Sequence, residues 1–67
     1  MKGAINMQIP TDPYILLSYV NTMLRDKYSS LDKLCDDLDI NRLRIEEKLL
    51  SIDYTYNAGL NRFVPKQ

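Results

Sequence analysis

Few side chains in this sequence could do chemistry, and each stands in a readable pattern. Cys35 is the only cysteine and there is no histidine. A cysteine nucleophile needs a nearby base or cation to favour its thiolate. A zinc site needs several cysteine, histidine or carboxylate ligands at set spacings. Neither pattern is present, and Cys35 reads as a small apolar core residue. Asp36 and Asp37 are adjacent carboxylates, but on the solvated side of a helix they make a poor general acid–base pair. There is no glycine-rich phosphate loop. The expectation is therefore a protein that is not an enzyme, with no cofactor and no metal.

Arginines and tyrosines leave nucleic acid as the next chemistry to weigh. Arg42, Arg44 and Arg62 are the candidates for nucleic-acid contact. Phosphate neutralisation supplies most non-specific affinity, so strong binders are usually basic. Here nine Lys and Arg balance nine Asp and Glu. From Leu31 to Ile52, six carboxylates (Asp32, Asp36, Asp37, Asp39, Glu46, Glu47) outnumber four cations (Lys33, Arg42, Arg44, Lys48). Tyr54 and Tyr56 share a strand face that follows directly from Ile52, so packing explains them better than base stacking.

The elements that position these groups follow from periodicity and capping. Asp12 is a good N-cap and Pro13 fits the first position of a helix, where a missing N–H costs nothing. At about 100° per residue, Leu16, Leu17, Val20, Met23 and Leu24 fall within an arc of about 120°. Ile15 and Tyr19 widen that stripe on one side, while Ser18, Asn21, Thr22 and Arg25 lie opposite. A second helix begins after Tyr28 with Ser29 or Ser30 as cap, and Ser29 with Asp32 resembles a weak capping box. Leu31, Leu34, Cys35 and Leu38 then keep an i, i+3, i+4, i+7 spacing. Asn41 caps a third helix that runs to about Ser51, with Ile45, Leu49 and Ile52 inward. Beyond it the period changes to two. Tyr54 and Tyr56, a turn around Ala58, Gly59 and Leu60, then Phe63 and Val64 predict a β-hairpin that Pro65 ends.

Between Leu34 and Leu49 the apolar grammar is that of a helix-turn-helix. Leu34, Cys35 and Leu38 line the first helix, Ile40 turns inward from the connection, and Ile45 and Leu49 line the second. Asp39 takes the turn position where glycine is commonest, and Asp tolerates the left-handed backbone better than most residues. The fold class expected is mainly α: a three-helix, helix-turn-helix domain, winged-helix-like, with a C-terminal β-hairpin. Residues 12–65 form that domain. Residues 1–11 precede it as an N-terminal extension or a short strand, because Ile5, Met7 and Ile9 alternate with polar residues before Pro10. Such a strand would pair with the hairpin or with a second copy of the chain.

In a DNA-binding version of this fold, the outward face of the second helix enters the major groove. Here that face carries Leu43, Glu46, Glu47 and Leu50. Base readers are typically Arg, Lys, Asn or Gln, and two glutamates would be repelled by phosphates. Two leucines seven residues apart with a polar rim suit a protein surface instead. The expected interface is Leu43, Glu46, Glu47 and Leu50, with Ile15 and Tyr19 on the shoulder of the first helix. The partner is another protein or a second copy, giving a dimer. Nucleic acid through Arg42, Arg44 and Arg62 is the disfavoured alternative.

Size and location are bounded more loosely. A chain of 67 residues buries only about 60% of its unfolded surface, and such a core supplies roughly 3–5 kcal/mol without staples. Self-association would add stability. Met1 to Ile9 is too short and mixed for a secretory signal. No stretch nears the roughly 20 apolar residues that span a bilayer, so no membrane role is expected. One cysteine and no export signal fit a reducing cytoplasm.

From Met7 to Val64 the chain resembles a family of short bacterial proteins, domain of unknown function 4250. The likeness rests on Ile9-Pro10-Thr11-Asp12-Pro13-Tyr14, Leu16-Leu17-Ser18-Tyr19-Val20-Asn21-Thr22 and Leu24-Arg25-Asp26. It continues through Tyr28-Ser29-Ser30-Leu31-Asp32, Leu34-Cys35-Asp36-Asp37-Leu38-Asp39, Glu47-Lys48-Leu49 and Ser51-Ile52. Tyr54, Tyr56, Asn61 and Phe63 close it. The resemblance implies a bacterial cytoplasmic protein without assigned activity, and it brings no catalytic residues. Family members look as if they start near Met7, which makes residues 1–6 an extension or an upstream start. Leu43 and Leu50 depart from the polar or small residues expected of the family, so the resemblance gives that patch no family-wide role.

Overall fold

The structure, a computed structural model, describes residues 9–66. Three helices, α1 (Pro13–Asp26), α2 (Leu31–Leu38) and α3 (Arg42–Leu50), precede an antiparallel hairpin of β1 (Tyr54–Asn57) and β2 (Arg62–Pro65). This is the mainly helical architecture expected. The strand anticipated over Ile5 and Met7 lies outside the described residues. Ile9 itself is not in a strand, and packs half-buried against the core.

Local chemistry starts and stops each helix. Asp12 Oδ1 accepts from the N–H groups of Tyr14 and Ile15, at 2.8 and 3.3 Å, ahead of Pro13. Ser30 caps α2, its hydroxyl accepting from Lys33 N at 3.1 Å. The capping box read on Ser29 and Asp32 is thereby displaced: with Ser30 as cap, the reciprocating position falls on Lys33, which has no acceptor. Asn41 caps α3 by accepting from Leu43 N at 2.9 Å.

The turn between α2 and α3 closes as a Schellman motif. Asp39 is left-handed, with φ 59° and ψ 47°. Its N–H donates to Asp36 O at 3.4 Å, and Ile40 N–H reaches back to Cys35 O at 2.9 Å, satisfying carbonyls the helix end would orphan. Ile40 then packs against the core, as the helix-turn-helix grammar requires.

The core is continuous across all the elements. Leu16, Val20 and Leu24 of α1 meet Leu31, Leu34 and Cys35 of α2, Ile45 and Leu49 of α3, and Phe63 of β2. Tyr54 and Tyr56 pack half-buried on it while Thr55 and Asn57 face outward, the period-two pattern of a one-sided sheet. The Tyr56 and Phe63 rings lie tilted, centroids 5.5 Å apart.

Two asparagines fasten the hairpin to the helices. Asn21 donates to Phe63 O at 3.1 Å and accepts from Phe63 N at 2.8 Å. It sits about 40° beyond Leu17 on the helical wheel, at the border of the stripe, where an amide reaches a strand edge. Asn61 donates to Leu24 O and Tyr28 O, at 3.1 and 3.0 Å, and accepts from the Tyr56 hydroxyl at 2.6 Å. The same hydroxyl oxygen accepts from Leu31 N at 3.2 Å. The carbonyl orphaned near the end of α1 and the N–H orphaned at the start of α2 are thus both satisfied by the hairpin. Asn61 is also the left-handed residue of the turn, at φ 54°, whereas Gly59 has no positive φ.

Candidate interaction surface

α3 shows four distinct sides, as its 100° step dictates. Ile45 and Leu49 are buried. On one flank, Arg42 and Glu46 turn toward α2 and the hairpin. Arg42 Nε donates to Glu46 at 3.0 Å, another guanidinium nitrogen donates to Asp32 at 2.7 Å, and the group lies 5.4 Å from the Tyr56 ring centroid. The bonds to Asp32 and Glu46 raise the Arg42 pKa still further above its ordinary value. On the opposite flank, Lys48 Nζ donates to Thr11 O at 3.1 Å, tying α3 to the segment that leads into α1. Arg44, Glu47, Lys48 and Ser51 line a shallow hollow there.

Outward, between the flanks, stand Leu43, Glu47 and Leu50. Leu43 is 63% exposed and Leu50 is 48% exposed, within about 20° of each other on the helical wheel. Glu47 is exposed beside them. Of the expected interface residues, the structure therefore brings Leu43, Glu47 and Leu50 onto one stripe. Glu46 is elsewhere: only 33% of its side chain is exposed, and Arg42 neutralises it. Ile15 is exposed on α1, while Tyr19 is half-buried and packs against the core.

The three arginines weighed as nucleic-acid contacts occupy three different places. Arg42 is held between two carboxylates and an aromatic ring. Arg44 lies across α3 from it. Arg62 borders a groove of about 790 Å³ between α1 and the hairpin, with Tyr14, Leu17, Arg25 and Leu60 among its neighbours. Tyr14 and Leu60, 67% and 61% exposed, bracket that groove. No periodicity could have joined them, because one belongs to a helix and the other to a turn 46 positions later. Arg25 is paired with Asp26 at 2.9 Å, and the hydrogen bond from its guanidinium holds the Asp26 carboxyl below the usual range.

The remaining reactive groups are engaged in the fold. Burial pushes the Cys35 thiol up from its ordinary value. Asp37 accepts the Tyr28 hydroxyl, and that bond raises the Tyr28 phenol pKa. Among the described residues, no group of three or more His, Cys, Asp or Glu is placed to hold a metal ion. No helix among them is long and apolar enough to cross a membrane.

Comparison with known proteins bears on identity but not on activity. No curated protein and no solved structure matches the chain. A family model matches residues 10–63, and the chain belongs to that family, described as Domain of unknown function (DUF4250).

Proposed function

Because this family carries no assigned activity, we propose from the surface itself that the protein is a small interaction module. Its outward α3 stripe docks on another protein. The observation that supports this reading is the pairing of two large, exposed aliphatic side chains on one helix face, Leu43 and Leu50, with the exposed Glu47 carboxylate beside them. Burying both leucines, each about half exposed in the free chain, against a partner would favour association by roughly 1–2 kcal/mol each. Glu47 on the rim would favour a partner with a cation at that position. The same face carries no outward-turned Arg42, which weakens a DNA-binding reading: the residue nearest the helix N-terminus, where base contacts usually begin, is held inward by Asp32 and Glu46.

Capture from the native cell tests the proposal, comparing the wild-type chain with a Leu43→Glu, Leu50→Lys double variant. Both positions are exposed, so the variant keeps its helical circular dichroism and its thermal midpoint. A partner held by the wild type and lost by the folded variant is the expected result. Identical partner sets for the two proteins would sink the idea.

A further inference from the structure

A two-stranded hairpin has two outer edges, and here they are treated differently. On β2, Phe63 directs both its N–H and its C=O outward, and Asn21 satisfies both. Pro65 has no N–H to offer, and Arg62 adds a charge. These are the usual guards against strand pairing.

β1 has none of them. Because Phe63 turns its bonding groups outward, the Tyr56–Phe63 pair is of the non-hydrogen-bonded kind. Alternation makes Tyr54–Pro65 the same, and Lys66 N–H donating to Asp53 O at 2.7 Å one residue beyond confirms the phase. The N–H and C=O of Tyr54 and of Tyr56 therefore point away from β2. Among the described residues, nothing bonds to them. The strand Tyr54-Thr55-Tyr56-Asn57 carries no charge and no proline, and tyrosine and threonine favour extended backbone.

We propose that the β1 edge is a pairing site for a second copy of this chain. The two β1 strands run antiparallel about a two-fold axis at Thr55, which joins the hairpins into one sheet. The sequence of the edge selects this occupant. Under that axis Tyr54 faces Tyr56 of the other copy, and the two exchange both backbone hydrogen bonds. Asp53 falls opposite Asn57, so no like charges meet. Thr55 meets itself in a close, non-hydrogen-bonded pair, where two threonines fit well. An isologous contact of this kind closes on itself and stops at two copies. The paired area is small, so the dimer is weak, dissociating on the order of 0.1–1 mM. The site is separate from the outward face of α3 and stands or falls without it.

Residue 55 lying opposite itself gives a charge-swap test. Its side chain is exposed, and its backbone bonds go to β2. Sedimentation equilibrium on the wild type is expected to show monomer and dimer. Thr55→Lys and Thr55→Asp should each be monomeric, and an equal mixture of the two should recover a dimer. The Tyr54 and Tyr56 amides should exchange about two- to fivefold more slowly at about 1 mM than in dilute protein, while the Thr55 amide stays protected throughout. A wild type monomeric at millimolar concentration overturns the proposal. So does protection of Tyr54 and Tyr56 that is the same at every concentration, which would place a strand of the same chain on the edge. A dimer lost in the Leu43→Glu, Leu50→Lys variant but kept in both Thr55 variants overturns it in favour of the α3 face.

Discussion

Among the described residues, Asn61 concentrates more of the fold's polar satisfaction than any other side chain. One amide holds the C-terminal end of α1, the loop before α2 and the Tyr56 hydroxyl, from a backbone position at φ 54°. Removing a partner from a part-buried polar group costs about 1–3 kcal/mol, and a β-carbon without a local hydrogen bond is strained in the left-handed region. Asn61→Ala should therefore destabilise by about 3 kcal/mol, most of what such a small core supplies. Asn61→Asp keeps the acceptor for Tyr56 but loses both donors, and should cost nearly as much. Urea denaturation followed by circular dichroism reads both. A cost below about 1 kcal/mol for Asn61→Ala would mean that water replaces the amide freely. Arg42 is a second instance of a side chain whose role is set by its neighbours. In a helix-turn-helix it stands where a groove reader would, yet Asp32, Glu46 and the Tyr56 ring hold it inward.

At the scale of elements, the turn between α2 and α3 is the joint that sets how the two helices meet. Asp39 occupies it at φ 59° without being glycine. A residue with a β-carbon is disfavoured there by roughly 1–2 kcal/mol, less for Asp, whose short polar side chain suits the region. Asp39→Ala should lower stability by about 1 kcal/mol, and Asp39→Gly should leave it equal or slightly raised. Thermal midpoints of the two variants check this; a Gly variant less stable than the Ala variant would contradict it. The hairpin behaves as an element in the same sense. Its inner face is fixed by Phe63 and Tyr56, its β2 edge by Asn21, and only its β1 edge is left without a neighbour among the described residues.

For the molecule as a whole, charge decides more than shape. Cations and anions balance at nine each, and the arginines that could have gathered into one positive face are spread over α3's inner flank, its outer flank and the hairpin. Affinity for duplex DNA rises with the number of phosphates neutralised together, so a scattered set gives little. A mobility-shift titration with mixed-sequence duplex at low salt should show no retardation at micromolar protein. A shift that weakens steeply with added salt would instead mean that Arg44 and Arg62 reach phosphate together. The family to which the chain belongs does not bias that outcome, since no activity is attached to it.

The order of elements, the caps at Asp12 and Asn41, the buried stripes and the left-handed turn at Asp39 were legible along the chain, while the cap of α2 was narrowed only to Ser29 or Ser30. Each is a matter of neighbours within about four residues, where the periods of helix and strand and the chemistry of capping act directly. Side chains whose partners lie far off in sequence were not legible. Asn21 reads as one more polar residue on the far side of α1, yet it bonds a strand 42 positions away. Glu46 reads as part of an acidic outer face, yet Arg42, itself turned by Asp32 of α2 and the distant Tyr56 ring, holds it on the flank. That the β1 edge has no neighbour among the described residues is likewise a tertiary fact. Periodicity says that a strand exists, but only the packed hairpin decides which of its backbone groups are left without a partner.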